Sequence, residues 1–207
     1  SDTPLGTLKL AEIAVEAGLP KGVFNVITGS GSEVGEALVT HPDVEKIAFT
    51  GSTETGKKIM ALASSGVKKV TLELGGKAPA IVLPDADLEV AIPGILLGVF
   101  FHAGQVCEAS TRVLVHESMY DTVVEQLVAM SAKIKLGHPL DPNTGMGPVI
   151  SEIQMNKILG YIDSGLEEGA RLVCGGKKAE GPGLDQGFFI EPTIFADVTN
   201  DMKIAQE

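Results

Sequence analysis

The stretch that decides the fold is KIAFTGSTETGKKIMALASSGVKKVTLEL, residues 46–74. Its β-rich start predicts a strand over residues 46–49. A helix is predicted over residues 52–63, beginning at a hydroxyl residue that can cap it. A second β-rich run predicts a strand over residues 67–74. Strand, helix and strand in this order indicate a right-handed βαβ unit, and therefore a parallel sheet.

The residues before this unit follow a similar alternation. A helix is predicted from Pro4 to Gly18, and a short strand over residues 23–27. The glycine-rich segment 28–35 then leads into a further helix, with Val34, Ala37 and Leu38 on its inward face. These elements extend the α/β pattern to the start of the chain.

The residues after the unit also predict an α/β arrangement, beyond a boundary in the segment 75–79. Strands are predicted over residues 80–83, 112–115 and 171–174, and helices over residues 88–101, 118–134 and 151–168. The first of these helices is expected to be mostly buried because it is strongly apolar. Ser118 and Ser151 are the expected N-caps of the other two. The expected fold class is therefore α/β throughout.

Composition excludes several classes of protein. The 207 residues can bury a real core, and 16 Lys and Arg against 27 Asp and Glu give a net charge of −11. This charge disfavours nucleic acid as a partner, because phosphate contacts come mostly from Lys and Arg. The apolar segment 78–101 is too interrupted by prolines and carboxylates to span a membrane. Two distant cysteines indicate a reduced, cytoplasmic setting, and the four histidines show no metal-ligand spacing.

The cysteine that could carry chemistry is Cys107. It follows the turn residues Gly104 and Gln105, where backbone N–H groups can face a reacting atom. Two interpretations stay open from this segment alone. Cys107 is either a nucleophile presented on the turn or a small buried hydrophobe.

Two glycine clusters could hold a nucleotide. The first, Gly29-x-Gly31-x-x-x-Gly35, differs by one residue from the dinucleotide fingerprint, so it fits either a nucleotide site or a tight turn. In the second, Gly51 allows close backbone approach and Ser52 supplies a hydroxyl at a helix start. That helix start favours an anion such as a pyrophosphate, although an ordinary capped helix has the same pattern.

A carboxylate interrupts an apolar strand at Glu73. The end of a buried strand in an α/β fold is where ligands bind, and burial among apolar neighbours would suit a general base. The alternative is an edge-strand side chain that faces solvent. Nearby Lys77 is expected to be a structural boundary residue.

Taken together, these motifs resemble those of the aldehyde dehydrogenase superfamily. The resemblance rests on Phe49-Thr50-Gly51-Ser52-Thr53, Leu72-Glu73-Leu74-Gly75-Gly76-Lys77 and Gly104-Gln105-Val106-Cys107, in this order and spacing. Lesser agreement at residues 140–148 and 189–193 extends it over essentially the whole chain.

The resemblance implies a catalytic mechanism. Cys107 is the implied nucleophile, which attacks an aldehyde and passes through a thiohemiacetal and a thioester. NAD or NADP is the implied hydride acceptor, and Glu73 the implied base that activates water. The product would be a carboxylic acid, and the protein an oxidoreductase that acts on a small aldehyde.

The resemblance also implies a domain organisation and a cofactor site. Residues 1–75 correspond to the C-terminal half of a partial Rossmann-like NAD(P)-binding domain, and residues 76–207 to an α/β catalytic domain that is incomplete at its C-terminus. The implied cofactor-binding residues are Gly29, Phe49, Thr50, Gly51, Ser52, Thr53, Glu54, Thr55, Gly56, Leu74 and Gly75. Asp2 is expected near the cofactor ribose, and the full-length protein is expected to be a homo-oligomer.

Several alternatives accompany this interpretation. The chain is expected to be an internal segment that does not turn over aldehyde by itself. A CoA-acylating relative is the alternative enzyme, although Glu73 disfavours it. A non-catalytic structural member of the fold is the third possibility. We expect His102, Val106 and Glu108 to shape the substrate path, and Glu108 to disfavour acidic aldehydes.

Overall fold

The computed structural model describes residues 3–207, which fall into two compact units, the first ending at Leu74 and the second comprising Gly75–Glu207. The expected position of Asp2 near a ribose lies outside the described residues. Among residues 3–207, no helix is both long enough and apolar enough to cross a membrane.

The first unit is built around a parallel pair of strands. Its elements are α1 (Leu5–Glu16), a π-helical turn (Gly31–Gly35), α2 (Glu36–Thr40), β1 (Lys46–Gly51), α3 (Thr53–Ser64) and β2 (Lys69–Leu74). β1 and β2 pair in parallel from Lys46↔Lys69 to Gly51↔Leu74. The predicted βαβ unit is therefore confirmed, including Ser52 as the N-cap of α3.

The core of this unit lies where α2 and α3 cover one face of the strands. Val39, Ile59 and Ala63 are its buried members, and Phe49 and Leu72 pack against them. Phe49 and Leu72 belong to alternate strand positions that are half-buried, while the intervening positions are exposed. The period of two in the strands thus matches a sheet that is covered by helices on one face.

Two predictions for this unit are wrong. Residues 23–27 form no strand, and both Val23 and Ile27 are well exposed. Ala37 is exposed and Leu38 is 44% exposed, whereas Val34 is half-buried and Val39, 5% exposed, enters the core. The π-helical turn ahead of α2 inserts one extra residue into the helical repeat. Each residue turns a helix by about 100°, so this insertion rotates the inward face by one position.

The second unit contains two short sheets and four helices among the described residues. Its elements are β3 (Pro79–Val82), α4 (Leu88–Phe100), a 3-10 turn (Phe101–Gly104), β4 (Arg112–Val115), a second 3-10 turn (Glu117–Met119), α5 (Tyr120–Ser131), α6 (Glu152–Glu167), β5 (Arg171–Cys174), β6 (Ile194–Ala196) and α7 (Lys203–Gln206). β3 and β4 are parallel, and β5 and β6 are antiparallel with an irregularity between Leu172 and Cys174.

The main core of the second unit packs α4 and α5 against the β3–β4 pair. Its buried members are Val82, Ile92, Ile95, Leu96, Val123 and Leu127. The expectation that α4 is mostly buried is wrong, because Val90 is 70% and Leu97 68% exposed. A helix that packs on one side only buries a single stripe, whatever the composition of its other face.

Helix caps confirm one prediction for this unit and correct another. Ser151 Oγ accepts a hydrogen bond from Gln154 N at 3.2 Å, so the predicted cap of α6 is confirmed. Ser118 does not cap α5. Instead, its N–H donates to His116 Nδ1, and α5 begins at Tyr120. An imidazole acceptor two residues upstream closes the turn that a serine was expected to close.

Candidate active site

The cysteine segment begins with a left-handed turn. His102 has φ 50° and ψ 33°, Ala103 has φ 55° and ψ 39°, and Gly104 has φ 75°. Left-handed conformations cost non-glycine residues about 1–2 kcal/mol each, so two in succession persist only where the surroundings hold them. The helix that precedes this turn, α4, ends at Phe100, and the chain continues from the turn into the segment that carries the thiol.

Cys107 itself lies exposed on a tight turn. Ala109 N donates to Val106 O at 3.1 Å, which closes the turn around Cys107 and Glu108. Ala109 is only 4% exposed, so the chain re-enters the protein directly after the turn. Of the two interpretations left open by the sequence, the buried hydrophobe does not describe Cys107.

The backbone N–H of Cys107 is available to a ligand. Among residues 3–207 it donates to no acceptor. An N–H next to a thiol can stabilise negative charge on a carbonyl oxygen that the thiolate attacks. The turn thus presents a thiol and a hydrogen-bond donor from the same residue.

Glu73 occupies the penultimate position of β2, paired in register with Thr50 of β1. Both residues are exposed, on the strand positions that alternate with those packed against α3. The expected burial of Glu73 among apolar neighbours is therefore wrong. A two-stranded sheet covered on one face leaves the other face open, and the Glu73 carboxylate lies on the open face.

The start of α3 has the geometry of an anion site. Ser52 Oγ accepts from Thr55 N at 3.2 Å, and Ser52 O accepts from Gly56 N at 2.9 Å. The first N–H groups of a helix have no partner within it, which leaves those of Thr53 and Glu54 directed out of the helix end. Partial positive charge accumulates at such an end and attracts anions.

Two glycines on either side of this helix start are closely packed against side chains. A Cβ on Gly51 would lie 2.4 Å from Phe49 Cζ, and a Cβ on Gly56 would lie 2.7 Å from Leu74 Cδ2. Gly29 is likewise constrained, because a Cβ there would lie 2.3 Å from Val34 Cγ2. At Gly29 the tight-turn interpretation of the first cluster therefore has direct geometric support.

A cavity of about 540 Å³ lies in the first unit and brings the two glycine clusters together. Gly31 and Gly35 line it from one side, and Phe49 and Thr55 from β1 and α3. Sequence reasoning missed Ile59 among its lining residues, although Ile59 follows Thr55 by one helical turn and so shares its face. The remaining lining side chains are mostly apolar, which suits a flat aromatic group.

An ion pair borders this cavity. Lys58 Nζ lies 2.6 Å from Glu36 Oε2, and both residues line the cavity. Sequence reasoning assigned neither residue, because the pair joins α2 to α3 across 22 positions. Of the other residues predicted to bind the cofactor, Leu74 is the last residue of β2, and Gly75 is the first residue of the second unit.

Lys77 is a half-buried cation at the start of the second unit. Burial, and then the positive charge of Arg112, lower the pKa of Lys77. Arg112 Nε donates to Lys77 O at 2.8 Å, so the two residues join the starts of β3 and β4. Within the described part of the chain, no cluster of three or more His, Cys, Asp or Glu side chains is placed to hold a metal ion.

These features define a class of protein: an α/β protein with a parallel strand pair in each unit, a glycine-lined cavity and an exposed thiol on a turn. A model of the aldehyde dehydrogenase family matches residues 1–207. The chain belongs to that family.

Similar proteins are found among sequences and solved structures. The chain is 53% identical to betaine aldehyde dehydrogenase from Brucella anthropi over 206 residues, covering 100% of this chain and 42% of that protein. It is 52% identical, over the same shares, to betaine aldehyde dehydrogenase from Mesorhizobium japonicum. The chain thus spans about two fifths of the length of the curated relatives that it matches.

Solved structures of relatives share the fold. Betaine aldehyde dehydrogenase from Staphylococcus aureus in complex with NAD+ aligns with a TM-score of 0.96 at 46% identity, covering 100% of this chain and 41% of that one. The NAD+ complex of aldehyde dehydrogenase from Bacillus cereus aligns with a TM-score of 0.94 at 48% identity, covering 99% and 41%. The α/β fold expected from the sequence is confirmed.

Proposed function

We propose that the full-length protein oxidises an aldehyde to a carboxylic acid with NAD(P)+, and that it is a hydrolytic aldehyde dehydrogenase. The observation that carries this proposal is the exposed turn at Cys107, which presents a thiol and a free N–H together. Family membership supports it independently. The thiolate is the reactive form of such a residue, and solvent access allows a substrate to reach it.

In the proposed reaction, the Cys107 thiolate adds to the aldehyde carbonyl carbon and forms a thiohemiacetal. The Cys107 N–H donates to the resulting oxyanion. NAD(P)+, when bound, accepts the hydride that leaves this carbon. Glu73 takes a proton from water, which attacks the thioester on Cys107, breaks the carbon–sulfur bond and releases the carboxylic acid and the Cys107 thiolate.

Two features of the first unit support a dinucleotide site. The apolar, glycine-lined cavity of about 540 Å³ fits a flat base. The helix start at Ser52 fits the pyrophosphate, through the N–H groups of Thr53 and Glu54 and the Ser52 hydroxyl. We propose that residues 1–75 belong to the NAD(P)-binding domain and residues 76–207 to the catalytic domain. The remaining proposed contacts are Gly29, Phe49, Thr50, Gly51, Thr55, Gly56, Leu74 and Gly75.

The substrate we propose to assay first is betaine aldehyde, because the similar proteins carry its name. Its head group is a quaternary ammonium cation. Glu108 directly follows the thiol and is exposed, so its carboxylate favours a cation near the turn over an acidic aldehyde. His102 and Val106 flank the same turn and are the other side chains proposed to shape the substrate path.

The test is a panel of cationic, neutral and acidic aldehydes, assayed with NAD+ and NADP+ on the full-length protein. We expect Cys107→Ala to abolish turnover and Glu73→Gln to slow release of the acid. If Cys107→Ala oxidises aldehydes at the wild-type rate, the proposed mechanism is wrong. If Glu73→Gln keeps its hydrolytic rate, CoA becomes the better candidate for the acyl acceptor.

Labelling with iodoacetamide tests the remaining alternative, a non-catalytic member of the fold. An active enzyme should be alkylated at Cys107 more slowly when NAD+ or aldehyde is present. Alkylation at a rate that neither ligand changes would favour the structural alternative. We further propose a cytoplasmic setting, in keeping with the two free cysteines. A homo-oligomeric full-length protein is proposed from the family resemblance alone.

A further inference from the structure

The turn that carries Cys107 is held at both of its ends. On the side before the thiol, Ala103 packs against the buried cluster that contains Val149 and Met155. On the side after it, Ala109 is 4% exposed. Between these anchors, Cys107 is exposed. The position of the thiol therefore depends on the few residues that connect Ala103 to Cys107.

Gln105 is the residue in this connection with the most specific contacts. Its Nε2 donates to His102 O at 3.0 Å, and its backbone N–H donates to the same oxygen at 3.2 Å. Both bonds close the left-handed turn at His102 and Ala103. The Oε1 atom of Gln105 accepts from Ile150 N at 3.2 Å, across 45 positions of sequence.

The distant partner belongs to a firmly held part of the unit. Ile150 directly precedes Ser151, the N-cap of the 16-residue helix α6. α6 contributes Met155 and Ile162 to the same buried cluster that contacts Ala103. The Gln105 amide thus ties the turn to a helix that is itself packed into a core.

We propose that Gln105 is a positioning residue for Cys107. Its amide fixes the turn so that the Cys107 thiolate and N–H address the same carbonyl group. The side-chain amide suits this task because it carries a donor, used by His102 O, and an acceptor, used by Ile150 N, on one planar group. This inference rests on the proposed role of Cys107 as nucleophile.

Two substitutions separate the contributions of the amide. Gln105→Met keeps the length of the side chain and removes its two hydrogen bonds, the one to His102 O and the one from Ile150 N. Gln105→Glu keeps the acceptor for Ile150 N but places a second acceptor against His102 O. The matched control is Gln186→Met, since Gln186 is exposed and its side chain makes no hydrogen bond among residues 3–207.

The experiment measures turnover of the full-length enzyme per titrated Cys107, together with KM for the cofactor. Misplacing a reacting group by about 1 Å costs on the order of 100-fold in rate, so we expect kcat per site to fall about 10- to 100-fold in Gln105→Met. KM for the cofactor should stay within about twofold, since Gln105 lies outside the cofactor residues. A residue needed only for folding would lower the number of active sites and leave turnover per site unchanged.

The pH profile of Gln105→Glu gives a second readout, which remains available if Gln105→Met fails to fold. When the carboxyl introduced by Gln105→Glu is protonated, it gains a hydrogen that can be donated to His102 O. The deficit in turnover per site of Gln105→Glu relative to wild type should therefore shrink as the pH falls. His102 and Glu108, the titratable side chains that flank the turn, are present in both enzymes, so the two pH profiles are compared as a ratio.

The outcomes distinguish this inference from the proposed function. Turnover per site equal to that of Gln186→Met, or a deficit in Gln105→Glu that does not change with pH, would overturn the positioning role while Cys107→Ala remains inactive. If Cys107→Ala keeps full activity, the proposed function fails first, and the positioning role fails with it.

Discussion

Two serine caps offer a matched test of the proposed pyrophosphate site. Ser52 Oγ accepts from Thr55 N at 3.2 Å, and Ser151 Oγ accepts from Gln154 N at 3.2 Å. Both serines begin helices of at least 12 residues. Replacing either by alanine should lower the free energy of unfolding by about 1 kcal/mol, because the same capping bond is lost.

Cofactor affinity should separate the two variants. Only Ser52 lies at the start of the helix that we assign to the pyrophosphate. Its hydroxyl can donate to a phosphate oxygen while it accepts from Thr55 N and from the Thr55 hydroxyl, which lies 2.9 Å away. Losing a hydrogen bond to a charged group costs about 1.5–3 kcal/mol, which corresponds to a rise in Kd of roughly 10- to 150-fold. We expect this rise in Ser52→Ala and a change of less than about twofold in Ser151→Ala.

The assay is a fluorescence titration of the full-length protein with NADH, accompanied by thermal melts of each variant. Ser52→Thr keeps the hydroxyl and serves as the conservative control, with an expected Kd near the wild-type value. Equal rises in Kd for both alanine variants would refute the reasoning, because the cause would then be general destabilisation. Wild-type affinity in Ser52→Ala would refute it as well.

Further predictions concern stability. Ile92 is fully buried in the core of the second unit, so Ile92→Ala should cost about 2–5 kcal/mol in denaturant unfolding, and an unchanged midpoint would contradict the described packing. Gly175 has φ +68°, and a Cβ there would lie 2.2 Å from Pro192 O, so Gly175→Ala should lower Tm clearly more than an alanine at the open helical position Gly160. Hydrogen bonds from Arg171, and then from Tyr120, hold the pKa of Asp197 below its usual range. Because the folded pKa is lowered, the contribution of Asp197 is present above the unfolded pKa and is lost as the pH falls through the folded pKa. The Tm difference between wild type and Asp197→Asn should therefore vanish in acid, and a difference that is constant with pH would contradict this.

Local sequence patterns were sufficient for the central elements of the fold. The parallel pair β1–β2 was predicted because strand propensity, a capped helix and the order of the elements all agree over 29 consecutive residues, 46–74. The failure at residues 23–27 has a different cause. A strand requires a hydrogen-bonding neighbour, and the local sequence does not reveal whether one exists.

In the candidate site, too, features set by the local sequence could be predicted, whereas features set by distant residues could not. The sequence indicated a turn at Cys107 from Gly104 and Gln105, and the structure has one there. Burial of Glu73 could not be predicted, because the same apolar alternation fits a strand covered on one face or on both. The bond from Ile150 to Gln105 joins residues 45 positions apart, a separation at which no local pattern carries information.

The two thiols of the chain differ sharply in their surroundings. Cys174 is half-buried at the end of β5, with its Sγ 3.3 Å from the hydroxyl of the fully buried Ser131, whereas Cys107 faces solvent. A single mass spectrum of alkylated peptides therefore contains its own reference. In the folded protein the exposed Cys107 should be modified faster than the half-buried Cys174, and a difference that disappears would report loss of the packing around Cys174 and Ser131.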